Sequence, residues 1–188
     1  MEARVLTAND LPEIIQGGMG AAVSSWRLAR AVAQRSQLGV VSGVALDLVL
    51  ARRLQDGDVD VLRALSHFPN QEMAQRAVSR LYREGGRPEG TPYVPLPHLT
   101  VHPHRATLEL VVLGGFAEVF LAKEGHDGLI GINCLEKIQL STPGTLLGAM
   151  IAGVDAVLMG AGIPREIPRT LDTLARGEIV HFPIDVDG

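Results

Sequence analysis

A single cysteine, Cys134, stands in a chain of 188 residues. No internal disulfide can form, so the fold must rest on buried apolar surface, and a cytoplasmic setting is the default. There is no excess of positive charge either. The formal balance is −4, which removes the electrostatic basis for nucleic acid or an anionic membrane as the main partner. No apolar run is long enough to span a bilayer. The first ten residues, MEARVLTAND, carry acids and lack an apolar h-region, so they do not read as a signal peptide. The six histidines fall into no zinc spacing. His98, His102 and His104 have no acidic or cysteine partner near them in sequence, and His67 and His181 have no visible partner, so no metal site is expected.

What is present is a folded, single-domain composition. Apolar residues make up 46% of the chain and the charges are mixed, enough for one real core over residues 1–188. Short apolar runs alternate with helical patterns. Ile14-Ile15 reads as a short buried strand ending at Gly17-Gly18. Ser24 or Ser25 can cap a helix carrying Trp26, Leu28, Ala29, Val32 and Ala33. LGVVSG, 38–43, is a second strand, followed by a helix with Leu46, Val49, Leu50 and Leu54 toward the core and Gly57 at its end.

The middle of the chain breaks this rhythm. Asn70 can cap a helix bearing Met73, Ala77, Val78, Leu81 and Tyr82. Five prolines between Gly86 and Pro103 then forbid a regular element. Residues 59–104, approximately, read as an insertion on the outside of the main body. ATLELVVLGGFAEVFLAKEG is ambiguous between strand and helix; its length and the spacing of Leu113, Ala117, Phe120 and Leu121 favour a helix with a weak point at Gly114-Gly115. Alternation then returns: a strand at GLIGINCL, a helix ended by Gly153, a strand at VDAVLMGAG, a helix between Pro168 and Gly177, and a last strand at EIVHFPI.

Strands separated by single helices imply βαβ units and a parallel sheet, with its site at the strand C-termini. Two closures satisfy that pattern, a doubly wound sheet or a (β/α)₈ barrel. A dinucleotide fold wants G-x-G-x-x-G after its first strand. Gly17-Gly18-Met19-Gly20 has the wrong spacing, and no acidic residue follows the second strand directly. The pattern therefore favours an α/β fold of TIM-barrel type. Three glycines and a methionine between a strand and a helix suit a backbone that approaches a flat, polar-edged ligand; a tight turn with Met19 in the core is the alternative.

EIIQGGMG, LGVVSG, LAKEGHDGLIGINCLEKIQL and AGVDAVLMGAGIPREIP, in that order, resemble the nitronate monooxygenase (2-nitropropane dioxygenase) family from about Leu11 to Gly177. The resemblance implies a TIM barrel that binds FMN and oxidises a nitronate or similar carbon acid with oxygen. It places Gly17, Gly18, Met19 and Gly20 against the flavin, with the methionine beside the ring system. It gives Asn133 a hydrogen bond to the cofactor, for which a carboxamide has both donor and acceptor. Gly43 and Gly160 close strands and either border the same cavity or serve as turn glycines. Lys137 and Gln139 follow the Asn133 loop, toward the ligand or toward solvent. His126, in KEGHDG, is a weak catalytic candidate, with an equal claim to a structural role.

The family pattern continues with a glycine-rich strand end carrying a catalytic histidine and with phosphate-binding loops, and those strings are absent. About five of the eight βα units of a barrel are counted, so the expectation is an incomplete barrel, truncated before the catalytic histidine. Two other readings remain open: a flavin-dependent enoyl reductase of fatty-acid or polyketide synthesis, and a non-catalytic half-barrel. Self-association is open as well.

Overall fold

The computed structural model describes residues 12–185. Three parallel strands, β1 (Gly39–Ser42), β2 (Ile130–Leu135) and β3 (Ala156–Gly160), lie side by side in chain order. Val41 pairs with Ile132, Ser42 with Asn133, and Asn133 with Leu158, so residues of one parity share a face. Around them run α1 (Trp26–Ala33), α2 (Leu46–Gln55), α3 (Val59–Ser66), α4 (Gln71–Leu81), α5 (Arg105–Lys123), α6 (Thr142–Ile151) and α7 (Ile167–Ala175). This is a mixed α/β architecture with a small parallel sheet. No helix among the described residues is long and apolar enough to cross a membrane.

The ambiguous segment is a helix, α5, and it is the centre of the molecule. Leu110, Leu113, Phe116, Val119 and Leu121 are buried in the main core with Val41, Ile130, Ile132 and Cys134 of the sheet. A helix apolar nearly all round is stable only when surrounded; α1, α2, α3, α4 and α6 supply the surroundings. Gly114 and Gly115 are not a weak point. A Cβ on Gly114 would stand 2.5 Å from the Leu46 carbonyl oxygen, and one on Gly115 would collide with the carbonyl of Thr145. The two glycines let α2 and α6 lie against α5 backbone to backbone.

Two expected strands are not formed. Ile15 makes one isolated parallel bridge to Leu38. Ile14 and Ile15 are 61% and 56% exposed, so in place of the expected buried strand there is a single solvent-facing bridge: the segment has a neighbour on one side only. The segment from Glu178 to Ile184 joins no sheet among the described residues. Phe182 folds back onto the main core, and Asp185 is tied to Gln139 by hydrogen bonds of 2.8 and 3.0 Å.

The sheet is clothed unevenly. Its helix-facing side carries Val41, Ile132 and Cys134 in the main core. The opposite side gathers Leu38, Val40 and Leu129 with Ala156 and Leu158, and no helix residue joins that cluster. The loop that carries Gly17 to Gly20 folds over one corner of this second face.

Candidate functional site

That corner is built from the ends of the strands. Asn133 is buried at 7% exposure on the helix-free face of β2, two positions before the strand's last pair. Its Nδ2 donates to the Gly18 carbonyl at 2.8 Å and reaches the Met19 sulfur at 3.3 Å. An amide nitrogen is required beside the Gly18 oxygen, so the carboxamide has one orientation. Its Oδ1 then accepts no hydrogen bond from a described residue and faces Gly160, where a Cβ would lie 3.8 Å away. Asn133 thus offers one fixed, free acceptor.

The glycine turn is held by two side chains that the sequence reading did not assign to the site. Gln16 Oε1 accepts the Val40 N–H at 3.0 Å, taking the place of a further strand residue beside β1. Gln16 Nε2 donates to the Gly17 carbonyl and to Ser24 Oγ. Ser24 Oγ in turn donates to the Gly17 carbonyl at 2.9 Å and accepts from the Met19 N–H at 3.1 Å. Ser24 therefore closes the turn and does not cap α1. Ser25 occupies the cap position without a side-chain bond, and the carboxylate of Glu118, from α5, receives the Trp26 N–H at 2.9 Å. The signal for Gln16 was its place between two isoleucines and a glycine pair; nothing in sequence spacing pointed to Glu118.

The glycines of the turn differ in purpose. A Cβ at Gly18 would stand 2.5 Å from Val40 Cγ1 and 2.8 Å from Asn133 Cβ, so Gly18 is glycine because it packs on the sheet. Gly17 has open space where a Cβ would go, and Gly20 has a φ of +76°, the left-handed conformation that glycine adopts without strain. Met19 is 58% exposed, which sets aside the core reading for it. Gly43 donates its N–H to the Asn133 carbonyl at 2.7 Å, and a Cβ there would meet Cys134 Sγ at 2.7 Å. Burial pushes the Cys134 thiol up to about 12, which keeps it protonated and inert.

Gly17, Gly18, Met19, Gly20, Gly43, Asn133 and Gly160 therefore share one edge of the sheet. His126 does not join them. It precedes β2, at the opposite edge, roughly 20 Å away by the length of a six-residue strand. Its Nε2 donates to the Ala122 carbonyl at 2.6 Å and its Nδ1 accepts the Gly128 N–H at 3.1 Å, tying the end of α5 to the start of β2. Lys137 is exposed, and Gln139 is engaged with Asp185. Glu136 is the carboxylate closest to the edge in chain order: its N–H bonds the Gly160 carbonyl at 2.9 Å and its side chain lies against Gly162. His67 has partners after all, stacking on Phe120 with ring centres 4.8 Å apart. No group of three or more potential metal ligands occurs among the described residues.

Backbone strain gathers at the same edge. Four non-glycine residues adopt positive φ among those described. Ala45 and Ala161 lie between a strand end and the next helix, and Ala22 lies between the glycine turn and α1; such strain concentrates at ligand-handling sites. The arrangement sets the free amide oxygen of Asn133 beside the exposed thioether of Met19. Comparison with protein-family models, curated proteins and solved structures finds no match.

Proposed function

We propose that the chain forms part of the wall of a TIM-type barrel that binds FMN at the Gly17–Gly20 turn and Asn133, and that it serves as an oxidoreductase acting on nitronates or related carbon acids with oxygen. The observation that carries this reading is the Asn133 carboxamide, locked by the Gly18 carbonyl with its oxygen left free on the helix-free face. A flavin edge bears donors and acceptors in one plane, and a fixed amide oxygen suits such a rim. The exposed thioether of Met19 provides a polarisable surface for a ring.

The sheet supports the barrel in preference to the doubly wound alternative. Its strands follow chain order, and its helices cover a single face; a doubly wound sheet has helices on both. In a barrel wall the helix-free face with Leu38, Val40, Leu129 and Leu158 is the inner one.

FMN, when bound, supplies the electron-accepting centre. The chain's own residues orient it: Gln16 and Ser24 fix the turn, Asn133 presents the acceptor, and Met19 shields one side from water. The test is an FMN titration of the protein followed by flavin fluorescence, with Asn133→Leu beside it. The substitution is expected to cost about 1–3 kcal/mol of affinity by leaving a polar rim unpaired. Equal affinity of both proteins, or no binding by either, overturns the assignment. Oxygen uptake with a nitroalkane anion then separates an oxidase from an enoyl reductase, which consumes reduced nicotinamide with an enoyl thioester instead.

A further inference from the structure

We propose that Met19 is a site of reversible oxidation by peroxides, and that its sulfoxide captures the Asn133 side-chain amide. Met19 is 58% exposed, whereas Met73, Met150 and Met159 are at least partly covered by packing against neighbours. Its sulfur already sits 3.3 Å from Asn133 Nδ2, the nitrogen that also holds the Gly18 carbonyl at 2.8 Å. The most exposed of the described methionines is therefore in contact with the group that fixes the turn.

The chemistry balances with a peroxide as the only co-reactant. The thioether sulfur attacks one peroxide oxygen, the O–O bond breaks, and a sulfur–oxygen bond forms. Sulfur is oxidised by two electrons, while the second peroxide oxygen leaves and takes up a proton, as water when the oxidant is hydrogen peroxide. The product carries a polar oxygen where a soft, weak acceptor stood. A sulfoxide oxygen is a far better acceptor than a thioether sulfur, so the second N–H of the Asn133 amide, beside the one held by Gly18, is drawn toward Met19. The amide reorients to serve both acceptors, and the free Asn133 oxygen turns with it. The Met19 N–H is held by Ser24 Oγ at 3.1 Å, so the backbone stays in place while the side chain changes character. The consequence for the cofactor rests on the flavin reading above; the oxidation and the Asn133 response do not.

The experiment exposes the protein, without flavin, to limiting hydrogen peroxide, followed by peptide mapping and by the NMR signals of the Asn133 side-chain amide. Met19 is expected to gain oxygen before Met73, Met150 and Met159, the Asn133 amide signals to shift in step with it, and methionine sulfoxide reductase to restore both. Met19→Leu is expected to keep the Asn133 signals fixed under the same treatment. Earlier oxidation of Met73, Met150 or Met159, an Asn133 amide unmoved by Met19 oxidation, or the same shift in Met19→Leu overturns the proposal. An FMN titration of the oxidised protein then reads a several-fold change in affinity; absence of flavin binding before and after oxidation counts against the flavin reading alone.

Discussion

Gly17 and Gly18 are adjacent, identical and opposite in what they tolerate. Gly18 lies buried on Val40 and Asn133, with the Val41 carbonyl 2.9 Å from where a Cβ would be. None of these atoms is the far end of a flexible chain. Gly18→Ala is expected to cost about 1–3 kcal/mol of stability by overpacking, and with it the placement of the Asn133 amide. Gly17→Ala meets nothing within 4 Å and is expected to change stability by less than about 0.5 kcal/mol. Urea unfolding of the two variants checks the pair, and equal losses in both sink the distinction. The consequence for function is direct. An effect of Gly18 substitutions on ligand binding mixes unfolding with contact, whereas a bulky residue at Gly17 tests the approach of a ligand on its own.

The helices α5 and α6 meet through glycine in the same way. Gly148 sits where a Cβ would run into the Val112 carbonyl and lie 2.7 Å from the Phe116 nitrogen, both backbone atoms that cannot swing aside. Alanine raises intrinsic helix stability by about 1 kcal/mol over glycine, yet separating two helices costs about 1–3 kcal/mol. Gly148→Ala is expected to lower the thermal midpoint, and a rise in calorimetry removes the close crossing from the account. This crossing also marks the limit of what the sequence makes legible. The periodicity of α5 could be read because Leu113, Ala117, Phe120 and Leu121 recur at helical spacing. Its Gly114-Gly115 pair reads locally as a defect, because the partners Leu46 and Thr145 are about 70 and 30 residues away in the chain. The strands β1, β2 and β3 were legible from their β-branched runs and closing glycines. Ile14-Ile15 and the segment from Glu178 to Ile184 carry the same local signal, but a strand also needs a neighbour to pair with, and pairing is not a local property. The candidate site was legible where glycine clustering and an asparagine at a strand end marked it. It was not legible at Gln16, Ser24 and Glu118, whose roles arise from contacts across the fold.

At the scale of the whole molecule, the helical layer around α5 is fastened by ion pairs whose carboxylates have moved in a common direction. Arg76 of α4 bonds Glu109 of α5 at 2.7 Å, Arg63 of α3 bonds Glu124 at the end of α5 at 3.0 Å, and Arg53 of α2 bonds Asp58 at 2.8 Å. Arg76, with Arg105, holds the Glu109 carboxyl below its ordinary 4.5, and Arg63 does the same for Glu124. Burial works against ionisation at Asp58, yet Arg53 and the N–H groups of Val61 and Asp60 keep it below its ordinary 3.8. A carboxyl with a folded value below its unfolded one contributes stability above the unfolded value and loses it as pH falls through the folded value. Glu118 runs the other way: burial outweighs Arg53 and raises it above 4.5, so its contribution is present at acid pH and is lost as pH rises through the raised value. The contribution of Glu118 changes above 4.5, so below that value the three lowered carboxyls govern, and the molecule is expected to lose stability on acidification from about pH 4.5 downward as α3 and α4 loosen from α5. Thermal unfolding recorded from pH 7 to strong acid is expected to show this fall. Glu109→Gln removes one of the three titrations while keeping an oxygen for Arg76, so its midpoint is expected to decline less over the same interval. A variant that declines as steeply as the parent protein would show that the pairs around α5 do not govern its acid sensitivity.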